Sequence, residues 1–163
     1  MNQAMRLKPD GAYYLYINRA TFYSHLGLYK RAIEDYNEAI NLKPDDIAVS
    51  LAYRGRGTAY SNLDQYQRAI EDYSKSIRLR PDDAQTYYNR EFTYSRLNHH
   101  QSAIEDYNEA IRLNPDYDLA YYNRGVTYLN QGNKKLGCLD AQQACDLGDC
   151  ALLEWAKSKG YCP

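Results

Sequence analysis

The stretch "AIEDYNEAIRLNPD" at residues 103–116 occurs twice more upstream, as "AIEDYNEAINLKPD" at 32–45 and "AIEDYSKSIRLRPD" at 69–82. The three copies begin 37 and 34 residues apart, so the chain has an internal period of about 34 residues, with three extra residues (47–49) after the first copy. A unit this short cannot bury its apolar face alone. The period therefore predicts an array of units that stack on one another.

Each copy has the pattern of an amphipathic helix. Its apolar residues recur at helical spacing and form one stripe; in the third copy they are Ala103, Ile104, Tyr107, Ala110 and Ile111. A proline then ends the helix, and the aspartate after it is suited to cap the next one.

A second repeated phrase precedes the first, as "YYNREFTYS" at 87–95 and "YYNRGVTYL" at 121–129. Its tyrosines also recur at helical spacing, and a short break separates it from the following helix. The sequence thus predicts helix pairs over residues 13–46, 50–83, 84–117 and 118–148, followed by a helix at 149–160. Residues 1–11 align with 107–117 and predict a partial repeat, so that 1–163 forms a single domain.

This pattern resembles the tetratricopeptide repeat, which places an aromatic, a small residue, an aromatic, an alanine, an aromatic, an alanine and a proline at fixed positions. In residues 13–46 these are Tyr16, Ala20, Tyr23, Ala32, Tyr36, Ala39 and Pro44. The resemblance implies an all-α fold, a right-handed superhelical solenoid of antiparallel helix pairs. In the third unit Glu91 occupies the small position, and we expect either a local splaying of that unit or a Glu91 side chain that reaches solvent.

Both ends of the chain depart from the pattern. The partial repeat at 1–11 is a second helix without its first, which predicts a fragment of a longer array. Its Ala4 and Met5 predict an uncovered apolar face and a homo-oligomer formed through that helix. At the other end Leu152, Leu153, Trp155 and Ala156 are expected to face the array as a capping helix, because arrays need a terminal element with one polar face.

All four cysteines lie in the last 26 residues. Cys138 and Cys145 occupy positions that hold isoleucine in earlier units, so one interpretation is that they are small buried apolar residues. The resemblance to cysteine-rich relatives of the family, whose disulfides join adjacent helices, favours a Cys145–Cys150 bond and leaves Cys138 with Cys162. Four cysteines allow three connectivities. A zinc site is not expected, since the spacing fits no finger, and disulfides would favour a periplasmic or other extracytoplasmic location.

One basic and one acidic position recur sixteen residues apart. The arginines are Arg19, Arg56, Arg90 and Arg124, where the family usually carries leucine, and the aspartates are Asp35, Asp72, Asp106 and Asp140. We predict ion pairs that join the two helices of each unit, each contributing about 0–1 kcal/mol if partly exposed. The alternative, a ladder of anion-binding arginines, requires these arginines to be unpaired.

The composition argues against several classes of function. Twenty basic and 21 acidic residues give a net charge of −1, so neither nucleic acid nor an anionic membrane is an expected partner. No apolar run approaches the length of a membrane-spanning helix. We find no catalytic constellation and expect no enzyme activity, no metal and no cofactor.

The family resemblance implies a function in protein–protein interaction, since first helices in this family line a concave groove that receives an extended peptide or a partner helix. An alternative is a regulatory or substrate-recruiting module excised from a larger enzyme or assembly protein. The expected groove residues are Ile17, Asn18, Thr21, Arg54, Thr58, Tyr88, Asn89, Phe92, Arg96, Tyr122, Asn123 and Val126. These residues would otherwise serve only as contacts between repeats. The clamp with which some family members hold a terminal carboxylate is not expected, because Ile17 and Gln85 replace its lysines.

Overall fold

The computed structural model describes residues 11–42 and 45–163. Within these residues the chain forms nine α-helices and no strand. The helices are α1 (Ala12–His25), α2 (Tyr29–Asn41), α3 (Asp46–Asn62), α4 (Tyr66–Leu79), α5 (Ala84–Arg96), α6 (His100–Leu113), α7 (Asp118–Asn130), α8 (Lys134–Asp146) and α9 (Ala151–Ser158). The predicted partial repeat lies outside the described residues except for Gly11, as do Ala4 and Met5.

The helices pack as antiparallel pairs in chain order. The helices α1 and α2, α3 and α4, α5 and α6, and α7 and α8 pair with each other, and each following first helix packs on the preceding second helix. First helices also touch one another, α1 with α3 and α3 with α5, while α9 packs on α8 and α7. The result is the predicted all-α superhelical solenoid, in which every unit buries the apolar face of its neighbour.

The turn inside each pair has the same backbone conformation in all four units. It contains one residue in the left-handed region, at Gly27 (φ 72°), Asp64 (φ 57°), Asn98 (φ 57°) and Gly132 (φ 79°). Glycine adopts this conformation freely, whereas asparagine and aspartate adopt it at a modest cost.

The three extra residues at 47–49 do not form a loop. They lie inside α3, which begins at Asp46 and has 17 residues. The side chain of Asp45 caps this helix by accepting a hydrogen bond of 2.9 Å from the backbone N–H of Ala48. The corresponding caps expected from the other Pro-Asp pairs do not form, since α5 and α7 begin after Asp83 and Tyr117 without a side-chain cap.

The fourth unit replaces an alanine with Gly137 and fills the space from the facing helix. A Cβ atom at Gly137 would lie 2.5 Å from Cγ of Leu129, which is buried at a position that holds serine in the other units. A large residue on α7 thus compensates for a small one on α8.

The C-terminal helix α9 covers the end of the array through Leu152, Leu153 and Ala156, which are buried. The expectation that Trp155 also faces the array is wrong: its side chain remains 45 % exposed. Its ring packs edge-on against Tyr161, with ring centroids 5.6 Å apart.

Candidate functional site

The first helices α3 and α5 enclose a cavity of about 240 Å³ on the face formed by first helices. Five of the predicted groove residues line it: Thr58, Tyr88, Asn89, Phe92 and Arg96. The remaining lining comes from the end of α3, the following turn and α4: Ser61, Asn62, Asp64, Tyr66 and Tyr73.

A neighbouring cavity of about 280 Å³ lies between α1 and α3. Four predicted groove residues line this one: Ile17, Thr21, Arg54 and Thr58. Since Thr58 lines both cavities, they form one discontinuous depression along α1, α3 and α5, which we call the two-cavity groove. Eight of the twelve predicted groove residues line it.

The other four do not line either cavity. Asn18 is exposed beside them. Asn123 donates a 3.0 Å hydrogen bond to the hydroxyl of Tyr88, and Tyr122 and Val126 pack against the apolar cluster beneath α9. For these three residues the structure favours the alternative interpretation, contacts between successive helices.

Tyr88 both lines the two-cavity groove and contacts the next unit. Its ring lies 4.9 Å from that of Tyr117 on the approach to α7, and burial raises the pKa of its hydroxyl. One edge of the ring therefore stabilises the contact between units while the other lines the cavity.

The two predicted groove arginines differ in their surroundings. Arg54 Nη1 donates to both carboxylate oxygens of Asp83, at 2.8 and 3.1 Å, so its charge is already matched within the protein. Arg96 has no carboxylate within 4 Å among the described residues, and its guanidinium lies 5.1 Å from the ring centre of Phe92. Phe92 is 45 % exposed. The cavity between α3 and α5 therefore has an exposed apolar ring beside a cation without a carboxylate partner in the described residues.

Three groove residues that the sequence did not predict come from second helices: Tyr66 at the start of α4, and the pair Tyr36 and Tyr73. The hydroxyl of Tyr73 donates to Thr58 Oγ1 at 3.1 Å, and the hydroxyls of Tyr36 and Thr21 are 3.2 Å apart. Tyr36 and Tyr73 end the repeated "AIEDY" phrase, and each follows a threonine by fifteen residues. This recurrence could have indicated the two hydrogen bonds from the sequence. The two tyrosines form the polar floor of the two cavities.

Glu91 does not behave as expected. The third unit keeps its helix pairing and Glu91 is only 1 % exposed, so neither local splaying nor an outward side chain occurs. Ser95 Oγ donates to Glu91 Oε1 at 3.3 Å, while Oε2 has no partner. Burial raises the pKa of Glu91 to about 8, although the hydroxyls of Tyr107 and Ser95 lower it in part.

The four arginine–aspartate pairs have a common geometry. In each unit Nε and Nη2 of the arginine donate to the two carboxylate oxygens of the aspartate sixteen residues later, at 2.5–2.8 Å. The aspartate side chains are only 3–8 % exposed, so these pairs are more buried than the sequence suggested. Because the arginines are paired, the anion-binding ladder lacks the unpaired cations that it requires.

Three of these arginines also reach the preceding unit. The third nitrogen, Nη1, donates from Arg56 to Asn37, from Arg90 to Ser74 and from Arg124 to Asn108, at 2.5–3.0 Å. Tyrosine rings three residues before and four residues after each arginine lie 5.3–6.0 Å from its guanidinium carbon. We call each such arginine, with its hydrogen-bond partners, a helix clip. One guanidinium thereby joins three helices, so the repeated arginine connects the two helices of its own unit to the preceding unit.

The cysteines pair as Cys138–Cys162 and Cys145–Cys150, the pairing preferred from the sequence. The first bond ties the residues after α9 to α8, with Cα atoms 5.6 Å apart, and the second spans the turn between α8 and α9.

In the described ranges no three histidine, cysteine, aspartate or glutamate side chains come together in a way that could hold a metal ion. None of the helices α1 to α9 combines the length and apolar character that crossing a membrane requires.

Comparison with known families agrees with this architecture. The family pattern described as "Tetratricopeptide repeat" matches residues 13–46 and 50–83, and the pattern described as "TPR repeat" matches 93–132. This chain belongs to the tetratricopeptide repeat family. The first two matches have the same bounds as the first two complete units set by the internal period.

Solved structures of this repeat fold are similar along most of the chain. The crystal structure of MamA is 25 % identical over 93 % of this chain and 91 % of its own, with a TM-score of 0.75. A tetratricopeptide repeat protein from Parabacteroides merdae is 21 % identical over 83 % of this chain and 53 % of its own, also with a TM-score of 0.75.

The first tetratricopeptide domain of Spaghetti (RPAP3), solved with the HSP90 peptide SRMEEVD, is 24 % identical over 70 % of this chain and 92 % of its own, with a TM-score of 0.65. No curated protein sequence matches this chain.

Proposed function

We propose that this protein is an interaction scaffold that holds an extended segment of a partner polypeptide in the two-cavity groove. The observation that carries the proposal is the placement of the exposed Phe92 ring beside the unpaired Arg96 at a cavity lined by hydroxyl and amide groups. Aromatic residues and arginine are the residue types enriched at the cores of protein interfaces.

The chemistry of the lining indicates which segment would fit. Phe92 and Tyr88 would contact apolar side chains, and Arg96 would attract an acidic one. Asn62 and Asn89 offer amide groups that suit the backbone of an extended chain. Since Arg54 is matched by Asp83, we expect one acidic position in the ligand near Arg96 and none near Arg54.

The fold alone is compatible with this use, because the similar domain of Spaghetti (RPAP3) is solved with a peptide. The proposed ligand differs from a peptide held by a terminal-carboxylate clamp, since this chain has Ile17 and Gln85 at the lysine positions of that clamp.

The test is a selection from a random-peptide display library, followed by affinity measurements on the recovered peptides. Phe92→Ala and Arg96→Gln should each weaken binding by roughly thirtyfold, since removing an interface hot spot costs about 2 kcal/mol. The matched controls Leu136→Ala and Arg112→Gln change similarly exposed residues on second helices and should leave affinity unchanged. Equal affinities for all four variants, or no enrichment of any sequence, would contradict the proposal.

We also infer that the protein functions in an oxidising compartment, because both cysteine pairs are placed for disulfides. Alkylation of the protein from its native source should add no label to the cysteines before reduction. Labelling of all four without reduction would refute this inference.

A further inference from the structure

A further cavity, separate from the two-cavity groove, lies at the C-terminal end of the array between α8, α9 and the residues after α9. Its volume is about 480 Å³, within the range of roughly 300–1,000 Å³ that small-molecule sites occupy. We call it the C-terminal cavity. Its lining consists of Lys134, Lys135, Cys138, Leu139, Gln142, Leu153, Lys157, Tyr161, Cys162 and Pro163.

The charged side chains around this cavity are all basic. Three lysines line it, from the first turn of α8 and the last turn of α9, and the lining contains no aspartate or glutamate side chain, so that three ammonium groups face at most the single α-carboxylate of Pro163. None of the three lies within 4 Å of a carboxylate in the described part of the chain, whereas seven of the arginines there are paired. For a protein with a net charge of −1 this is a local excess of positive charge.

The position of two of these lysines strengthens the potential. Lys134 and Lys135 occupy the first turn of α8, where the helix dipole is positive and acidic residues are favoured. Two cations at this end stabilise α8 less than acidic residues would. The resulting field favours an anion in the cavity.

The floor of the cavity is apolar and fixed in place. Leu139, Leu153 and the ring of Tyr161 are among its lining residues, and Leu139 is 59 % exposed. The disulfide Cys138–Cys162 holds the segment containing Tyr161 against α8, and Nζ of Lys134 lies 4.9 Å from the centre of the Tyr161 ring. A preformed apolar floor with cations at its rim is complementary to a molecule with an apolar body and an anionic head.

We propose that the C-terminal cavity binds a small amphipathic carboxylate, such as a medium-chain fatty acid anion. The apolar chain lies on Leu139, Leu153 and Tyr161, and the carboxylate lies among the ammonium groups of Lys134, Lys135 and Lys157. This site is separate from the two-cavity groove and does not depend on the proposed peptide binding.

The chain contains its own reporter for the test. Trp155 is the single tryptophan and contacts Tyr161, which lines the cavity. Titration of the oxidised protein with decanoate should change the Trp155 fluorescence saturably below the micellar concentration, and calorimetry should give the same dissociation constant. Decanol, which has the same chain without the charge, should bind more weakly.

Charge removal at the rim provides the matched comparison. Lys135→Gln and Lys157→Gln should each weaken decanoate binding by roughly two- to fivefold, as expected for one partly exposed charge pair. Lys159→Gln, a control directly after α9 that does not line the cavity, should leave decanoate binding unchanged, and circular dichroism should show that all three variants fold. The absence of saturable binding, equal binding of decanol, or equal effects of Lys157→Gln and Lys159→Gln would overturn the proposal.

Discussion

Within single units, a tyrosine hydroxyl on the second helix is matched by a polar residue on the first. Tyr36 and Tyr73 each have a threonine partner, Thr21 and Thr58. In the third unit Phe92 replaces that threonine, and the carboxyl group of Glu91 lies beside Tyr107 instead. In this unit two neighbouring positions thus differ from the pattern: Glu91 is the polar group near Tyr107, and Phe92 is an exposed groove residue.

Glu91 makes the stability of the fold depend on pH. The pKa of Glu91 is raised from its ordinary value of 4.5 to about 8. Between these pH values the carboxyl group of Glu91 is therefore protonated in the folded protein and ionised in the unfolded chain. The stabilisation that comes from protonated Glu91 is fully present below about pH 4.5 and is lost as the pH rises towards 8, because the unfolded chain then releases a proton that the folded chain retains. In urea unfolding, Glu91→Gln should match the wild type near pH 4.5 and be more stable by a few kcal/mol at pH 8.

The control for this prediction is Glu105→Gln, which changes an exposed glutamate on α6. Its difference from the wild type should stay within about 0.5 kcal/mol at both pH values. A Glu91→Gln effect of the same size at pH 4.5 and pH 8 would show that folding does not shift the pKa of Glu91.

Removing the arginine of one helix clip should destabilise the fold more than removing the arginine of a surface ion pair. Arg90→Leu leaves Asp106 buried without its partner and should destabilise the protein by about 3 kcal/mol, whereas Arg90→Leu with Asp106→Ala should recover most of that loss. Arg112→Leu breaks an exposed pair with Glu109 and should change stability by at most about 0.5 kcal/mol. Equal effects of Arg90→Leu and Arg112→Leu in urea unfolding would mean that the clip contributes no more than a surface ion pair.

At the scale of the helix pair, one turn conformation recurs with different residues. Two of the four turns use glycine at the left-handed position and two use Asp64 or Asn98. The sequence predicted where these turns lie, because each falls between two helical patterns. It did not predict that residues 47–49 extend α3, since an insertion of three residues is compatible with either a loop or a longer helix.

The turn residue itself is testable. Asn98→Gly should raise the melting temperature, with a gain of up to about 1 kcal/mol, because an L-residue with φ of 57° is mildly strained. Gly132→Ala, which introduces the same strain in the next unit, should lower stability by a similar amount. The two substitutions should therefore change the free energy of unfolding in opposite directions. A loss of stability from Asn98→Gly would contradict the left-handed conformation of this turn.

At the scale of the whole molecule, the repeat period was sufficient to predict the order of the helices and the stacking of units. Local sequence also indicated the arginine–aspartate positions, because each member recurs at a fixed spacing. It did not indicate how deeply Asp72 is buried or that Arg56 reaches Asn37 of the preceding unit, because both depend on how neighbouring units pack.

The candidate site was predictable in part for the same reason. Groove residues on the first helices, such as Thr58 and Phe92, follow from the family's repeat register, which the resemblance supplied. The pairing of Arg54 with Asp83 and the contact of Tyr122 with the capping helix do not, since they involve residues from another unit. Binding residues are thus best identified by combining the repeat register with the contacts between units.

If a partner segment binds along the first helices, hydrogen–deuterium exchange with a selected peptide bound should detect it. Exchange of backbone amides is expected to slow in α3 and α5, centred on Thr58 and Phe92, and to stay unchanged in α6 and α8. Protection confined to α6 and α8, or uniform along the chain, would refute binding in the two-cavity groove.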